Sequence, residues 1–320
     1  MDKCEKKNCP PPPGFDFVGP LADKICKTYE DCKGVNHSEG YNLPREKEVL
    51  KILDDLMELV FPGFGGRDSY SHGALKYAAS EIVARCYANL RGLIFRSFRF
   101  SCGAQHKDDC NCPDMADKAA RLLLEAIPEI RETMKLDIQA AFDGDPAART
   151  LDEIIISYPG VKAITIQRMA HLLYHEQVPL IPRMMTEHAH RITGIDIHPG
   201  AHLDRGIFID HGTGVVIGET CEIGDGVKIY QGVTLGAVSF PKDGCGKIIK
   251  GAKRHPSIRK NVTIYAGATI LGPVEIGEGS VIGGNVWLTQ SVTPGTRISI
   301  APPDLTIKNP QQQSPGMYWI

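Results

Sequence analysis

The stretch Ile258-Arg259-Lys260-Asn261-Val262-Thr263-Ile264 opens a run in which an aliphatic residue returns at every sixth position: Ile258, Ile264, Ile270, Ile276, Ile282 and Leu288. The same step links Ile197, Leu203 and Ile209, and then Ile217, Ile223, Ile229 and Leu235. A period of six matches neither the spacing of an amphipathic helix nor the alternation of a half-buried strand. It suits a solenoid in which three six-residue rungs make one triangular coil, each inward aliphatic stacking on the next. Glycines such as Gly218, Gly224, Gly272, Gly277 and Gly283 follow the aliphatics, where the corners fall. Residues 195–296 are therefore expected to form a left-handed parallel β-helix.

The period slips twice. From Ile209 to Ile217 the step is eight, which inserts two residues around His211-Gly212-Thr213-Gly214. From Leu235 to Ile258 it is 23, five beyond three rungs, and the polar segment 237–255 reads as a loop leaving the coil. Repeat proteins carry their insertions on one face, often the binding face. Each slip bears a histidine beside a charged residue, Asp210-His211 in the first and Arg254-His255 at the end of the second.

Working outward, the chain is an α+β multidomain protein. Residues 1–42, rich in Pro, Cys and Lys, form a leader expected to be poorly ordered or loosely packed. Residues 43–194 read as an α-helical domain. Val49, Ile52, Leu53, Leu56 and Val60 repeat at three and four until Pro62-Gly63. Further helical patterns cover 74–98, 115–126, 128–143, 160–174 and 182–193. The coil occupies 195–296, and 297–320 is a polar tail ending in Ile320.

Composition bounds the function. A net charge of −2 over 320 residues argues against a nucleic-acid or membrane-surface role. The start lacks an apolar signal segment and no stretch of 18 apolar residues occurs, so a cytoplasmic protein is expected. Eight of the ten cysteines precede residue 113. Reduced thiols are the favoured reading, with a metal or redox role and disulfides as alternatives. There is no Walker loop, dinucleotide fingerprint or GxSxG elbow.

Chemistry centres on the two histidine pairs. His211 is open to three readings: general base, metal ligand or solvated turn residue. Asp196, fourteen residues upstream, could bond one imidazole nitrogen and raise the basicity of the other. Arg254 offers a planar fork for a carboxylate, and His255 a hydrogen bond to an oxyanion or to that carboxylate. His198, His202 and His211 are available for zinc, but they do not share one place in the six-residue frame.

Several segments together resemble the serine O-acetyltransferases of the hexapeptide-repeat acyltransferase superfamily: Asp196-Ile-His-Pro-Gly200, Ile209-Asp-His-Gly-Thr-Gly214, Gly218-Glu-Thr220, Gln231-Gly-Val-Thr-Leu-Gly236 and Arg254-His-Pro256. Asp137-Ile-Gln-Ala140, Asp145-Pro-Ala147, Gly160, Ala163, Arg168 and His171 fit the family's helical domain. The resemblance implies acetyl transfer from acetyl-CoA to the L-serine hydroxyl, the first step of cysteine biosynthesis. It makes His211 the general base, oriented by Asp196. Asp145 and Asp210 receive the serine ammonium, Arg254 and His255 the carboxylate. Acetyl-CoA lies near Gly236, Ala266, Gly267 and Gly284, and no metal is expected. The resemblance further implies feedback inhibition by L-cysteine, a homotrimer that can pair into a hexamer, and O-acetylserine sulfhydrylase (cysteine synthase) as a partner bound through Ile320. Alternatives are the same chemistry on homoserine or a sugar, a zinc enzyme on the same coil, and a catalytically inactive scaffold for the sulfhydrylase.

Overall fold

The computed structural model describes residues 15–30, 37, 43–65, 74–102, 111–239 and 251–301. Residues 1–42 and 43–320 form separate compact units. In the first, α1 (Val18–Tyr29) is a helix that buries none of its side chains. The composition of the leader hid this element: Val18, Leu21 and Ile25 keep helical spacing, and all three stay exposed.

The second unit begins with α2 (Glu46–Val60), α3 (Leu75–Cys102), α4 (Cys112–Glu125) and α5 (Ile127–Gly144), followed by α6 (Leu151–Ser157), α7 (Pro159–His175) and α8 (Ile181–Thr193). The stripe Val49, Ile52, Leu53, Leu56 and Val60 is buried, as its spacing predicts. Proline occupies the first turn of α4, α5, α7 and α8, where its missing N–H costs no intrahelical bond. The short α6 was not expected. Its start is fixed by Thr150, whose hydroxyl accepts from the Glu153 amide at 3.1 Å. Gly194, at φ +74°, ends α8 in the left-handed cap that glycine adopts without strain.

Strands then follow every sixth residue. In the first sheet β1 (Asp196–Ile197), β4 (Val216–Ile217), β7 (Thr234–Gly236), β10 (Thr269–Leu271) and β13 (Trp287–Leu288) lie side by side. The second holds β2 (His202–Leu203), β5 (Glu222–Ile223), β8 (Ser257–Ile258) and β11 (Glu275–Ile276). The third holds β3 (Phe208–Ile209), β6 (Lys228–Ile229), β9 (Thr263–Ile264), β12 (Val281–Ile282) and β14 (Arg297–Ile298). All pairs are parallel, and each strand joins the one three places later, except that β12 joins β14, which is the topology of a left-handed β-helix. Val216 pairs with Thr234, one regular coil on; Asp196 pairs with Val216, two residues longer, because the first slip lies between them. The twelve periodic aliphatics from Ile197 to Ile282 are buried, and Leu288 packs partly buried against them. Each contributes about 1.5–3 kcal/mol by leaving water.

The helices are bolted to the first coil through α7. Arg168 pairs with the buried Asp137 carboxylate at 2.9 Å and donates to the Leu203 and Asp204 carbonyls. Asp137 accepts the Ile207 amide at 2.8 Å. Gln167 donates to the Ala201 carbonyl at 2.7 Å and His171 Nδ1 bonds the Pro199 carbonyl at 2.8 Å. Gly160 lets α7 close on the Ile209 carbonyl, where a β-carbon would overlap the oxygen.

The cysteines depart from the reduced-thiol reading at one point. Cys112 is disulfide-bonded, while Cys26, Cys86 and Cys221 carry free thiols. Composition could not reveal this, because a disulfide depends on which chains meet in space. Cys4, Cys9, Cys32, Cys110 and Ile320 lie outside the described residues, as does 240–250 of the loop.

Candidate active site

The first histidine pair stands where the chain leaves the third sheet for the first. The two-residue insertion puts His211 in the left-handed region, at φ +56°, flanked by Gly212 and Gly214 at φ +80° and +77°. A histidine held there points away from the coil, and its side chain is 71% exposed. Asp145, at the end of α5, belongs to the same corner. Its carboxylate accepts the Ala147 amide at 2.8 Å and the Tyr158 hydroxyl at 2.5 Å. These bonds, Tyr158's first, hold its carboxyl below the usual carboxylate range, with a smaller pull from His211. The hydrogen bond to Asp145, then burial, in turn push the Tyr158 phenol up to about 12. Asp145 is therefore ionised at neutral pH.

The expected partnership of His211 with Asp196 is not formed. Among the described residues, the carboxylate nearest the ring is Asp210, with Oδ2 3.7 Å from Nε2. Asp196 sits on β1, where it acts on His198. The left-handed backbone directs the exposed His211 ring outward, and among the described residues only the Asp210 carboxylate stands within ion-pair distance of it.

The second pair stands at the opposite edge of the first sheet, where the chain passes to the second. Arg254 is ion-paired with Glu219, whose other oxygen accepts the Tyr174 hydroxyl at 2.6 Å. His255 is buried, with its ring in the space in front of Gly218. The Thr220 amide donates to His255 Nδ1 at 3.0 Å. Nδ1 is therefore the bare nitrogen, and Nε2 carries the proton. Burial, then Arg254, pull this imidazole down to about 4. At neutral pH it is an uncharged Nε2–H donor, suited to binding an anion and unsuited to acting as a base.

Of the residues expected near acetyl-CoA, Ala266 and Gly267 lie at His211's edge of the first sheet. Gly284 stacks above them, where a β-carbon would stand 3.1 Å from the Ala266 carbonyl. Gly236 ends β7 at the other edge. The fold thus unites Asp145, Asp210 and His211 at one corner, Arg254 and His255 at the other, and sets the two groups on different edges. Tyr158, Tyr174, Glu219 and Thr220 were missed as site residues. Glu219 and Thr220 were visible in the Gly218-Glu-Thr220 segment, but nothing linear ties them to residues 254 and 255. For zinc, no group of three or more His, Cys, Asp or Glu among the described residues is placed to hold a metal ion. His198 and His202 are engaged instead with the Gly200 amide and Asp204.

Comparison with known proteins decides the family. Residues 255–290 match the bacterial transferase hexapeptide (six repeats) family. The plasmid serine acetyltransferase of Synechococcus elongatus is 46% identical over 82% of this chain and 83% of its own. The chain belongs to the serine acetyltransferase family. The Mycobacterium tuberculosis serine acetyltransferase is 46% identical over 57% of this chain and 75% of its own. Entamoeba histolytica serine acetyltransferase isoform 3, solved in complex with cysteine, superposes with a TM-score of 0.68 at 33% identity, over 92% of this chain and 96% of that one. Isoform 1 with L-cysteine gives 0.67 at 32% identity, over 89% of this chain and 98% of that one. This serine acetyltransferase is accordingly an acyltransferase, and acetyl-CoA is the cosubstrate of its family. No helix among the described residues is long and apolar enough to cross a membrane.

Proposed function

We propose that the enzyme acetylates L-serine in a site completed by two copies of the chain, the acidic corner of one facing the basic corner of its neighbour. One observation carries this reading: anionic groups and the general base collect at one edge of the first sheet, anion-binding groups at the other. An amino acid needs both at once. Asp145 and Asp210 take the ammonium; Arg254 and the His255 Nε2–H of the neighbouring copy take the carboxylate. The His211 ring turns to Asp196 in the loaded site. It removes the proton from the serine hydroxyl as that oxygen attacks the thioester carbonyl. The CoA thiolate then leaves and recovers that proton from the imidazolium. Acetyl-CoA runs along the glycine-lined corners at Gly236, Ala266, Gly267 and Gly284. L-cysteine, bound in both Entamoeba structures, occupies the serine position and inhibits.

The assembly in which we place this pairing is the homotrimer that the resemblance implies, a ring closed by one repeated head-to-tail contact, with two trimers joined through the helical domains in a hexamer. The sulfhydrylase partner is taken by Ile320, and the enzyme works in the cytoplasm. Mixing tests the shared site. His211→Ala should lose about 10²–10⁴-fold in kcat, and Arg254→Ala should fail to bind serine. Oligomers reassembled from both variants should regain activity, because some interfaces then hold both intact halves. Verified mixed oligomers as inactive as their parents would refute the arrangement.

A further inference from the structure

The helical domain holds a cavity of about 550 Å³ walled by α2, α6, α7 and α8. It shares no residue with the two corners described above. Its wall combines apolar side chains, Met57, Phe61, Ile155 and Ile166 among them, with charged and polar ones. Small-molecule sites share this plan, an apolar wall with a few polar groups that fix orientation, in a space of about 300–1,000 Å³.

Three polar groups distinguish the cavity from a packing defect. His188, on α8, lines it, and its Nδ1 is buried without a hydrogen-bond partner. Leaving such a nitrogen unpaired is unfavourable unless a ligand or water supplies the bond. Lys162 on α7 and Asp54 on α2 also line the cavity, and both act electrostatically on His188. Neither forms an ion pair with another described residue. The remaining charges nearby are committed: Asp55 grips Arg85 at 2.7 and 2.9 Å, Glu58 accepts the Gly63 amide, and Arg191 pairs with Glu46 at 2.6 Å. What is left is one ammonium, one carboxylate and one imidazole nitrogen above an apolar floor.

From this arrangement we infer a second small-molecule site whose ligand is an α-amino acid with an apolar side chain. Its carboxylate meets Lys162 and His188, its ammonium meets Asp54, and its side chain fills the space beside Met57, Phe61 and Ile166. A ligand with a single charge would leave Asp54 or Lys162 unmatched, whereas a zwitterion matches both.

Calorimetric titration of the full-length protein with L-leucine and L-phenylalanine tests the site, with their amides and N-acetyl derivatives as controls. The free amino acids should bind, and each derivative, lacking one charge, should bind at least about tenfold more weakly. Lys162→Met and Asp54→Asn should each weaken binding by a similar factor while leaving melting temperature and acetyl transfer unchanged. Saturating L-serine should not displace the ligand. The inference is overturned by no binding up to about 10 mM, by equal binding of the derivatives, by indifference to both substitutions, or by displacement with L-serine, which would place the ligand at the acetyl-transfer site.

Discussion

The imidazole of His255 fills the space in front of the Gly218 α-carbon so closely that a methyl group there would overlap the ring. Gly218 directly follows β4, and Thr220, two residues on, fixes the tautomer of the same ring. One short segment thus both makes room for His255 and sets its proton. Gly218→Ala should displace the imidazole and lower kcat/KM for serine by about 10–10³-fold, in the range for losing a positioned hydrogen-bond donor. Kinetics beside a melting curve checks this. A variant with unchanged kcat/KM would show that His255 does not contact substrate.

Asp196 and Asp210 should separate kinetically. If Asp196 orients His211 in the loaded site, Asp196→Asn should lower kcat by about tenfold or more and move the acidic limb of the pH profile. Serine KM should change little. Asp210→Asn should mainly raise serine KM, because it removes charge facing the ammonium. The reverse pattern would give the orienting role to Asp210.

Tyr158 holds one oxygen of Asp145 and should matter through it. Tyr158→Phe leaves that oxygen without a donor and frees its aim, so serine KM should rise by about tenfold with kcat nearly constant. A fall in kcat alone would point to a different role.

Acid should weaken the fold through its neutral histidines. Burial pulls both His255 and His171 down to about 4. An unfolded chain takes up these protons near pH 6.5. Between pH 6.5 and 4 the unfolded state therefore binds more protons, and stability falls as pH falls through that window. It is fully present above. Melting temperature measured against pH should show this slope, and His171→Gln, which keeps a donor for the Pro199 carbonyl, should flatten it. An unaltered slope would remove His171 from the account.

The clamp between helices and coil should be costly to break. Arg168→Ala leaves the buried Asp137 carboxylate without its counter-charge and orphans the Leu203 and Asp204 carbonyls. A loss of about 3–5 kcal/mol is expected, measured by denaturant unfolding. A loss below about 1 kcal/mol, the value of an exposed pair, would show that water replaces the guanidinium.

Legibility in the sequence followed periodicity. The coil could be read because each rung repeats one decision, an inward aliphatic every sixth residue, and errors at single positions do not change the sum. The main helices could be read for the same reason. The first slip marked the His211 corner, since an insertion into a strict repeat must leave the coil somewhere. By contrast α1 and α6 were hidden, one by leader composition and the other by its brevity. The disulfide at Cys112 was one of the alternatives that the cysteine-rich first part of the chain left open, since spacing alone does not choose among them.

By itself the sequence determined the left-handed β-helix, the helical region before it, the positions of both histidine pairs, and the resemblance to serine acetyltransferases. These depend on spacing and local residue type, which a linear chain carries in full. The tertiary structure decided which residues face one another. It placed Tyr158 on Asp145 and Glu219 on Arg254, gave His255 its tautomer, and set His211 beside Asp210 with Asp196 apart. It also put the acidic and basic groups on different edges of one sheet. The contacts of Asp145 with Tyr158, of Glu219 with Arg254 and of Thr220 with His255 join residues 13 to 35 positions apart, and only the winding of the coil and the docking of α7 bring them together.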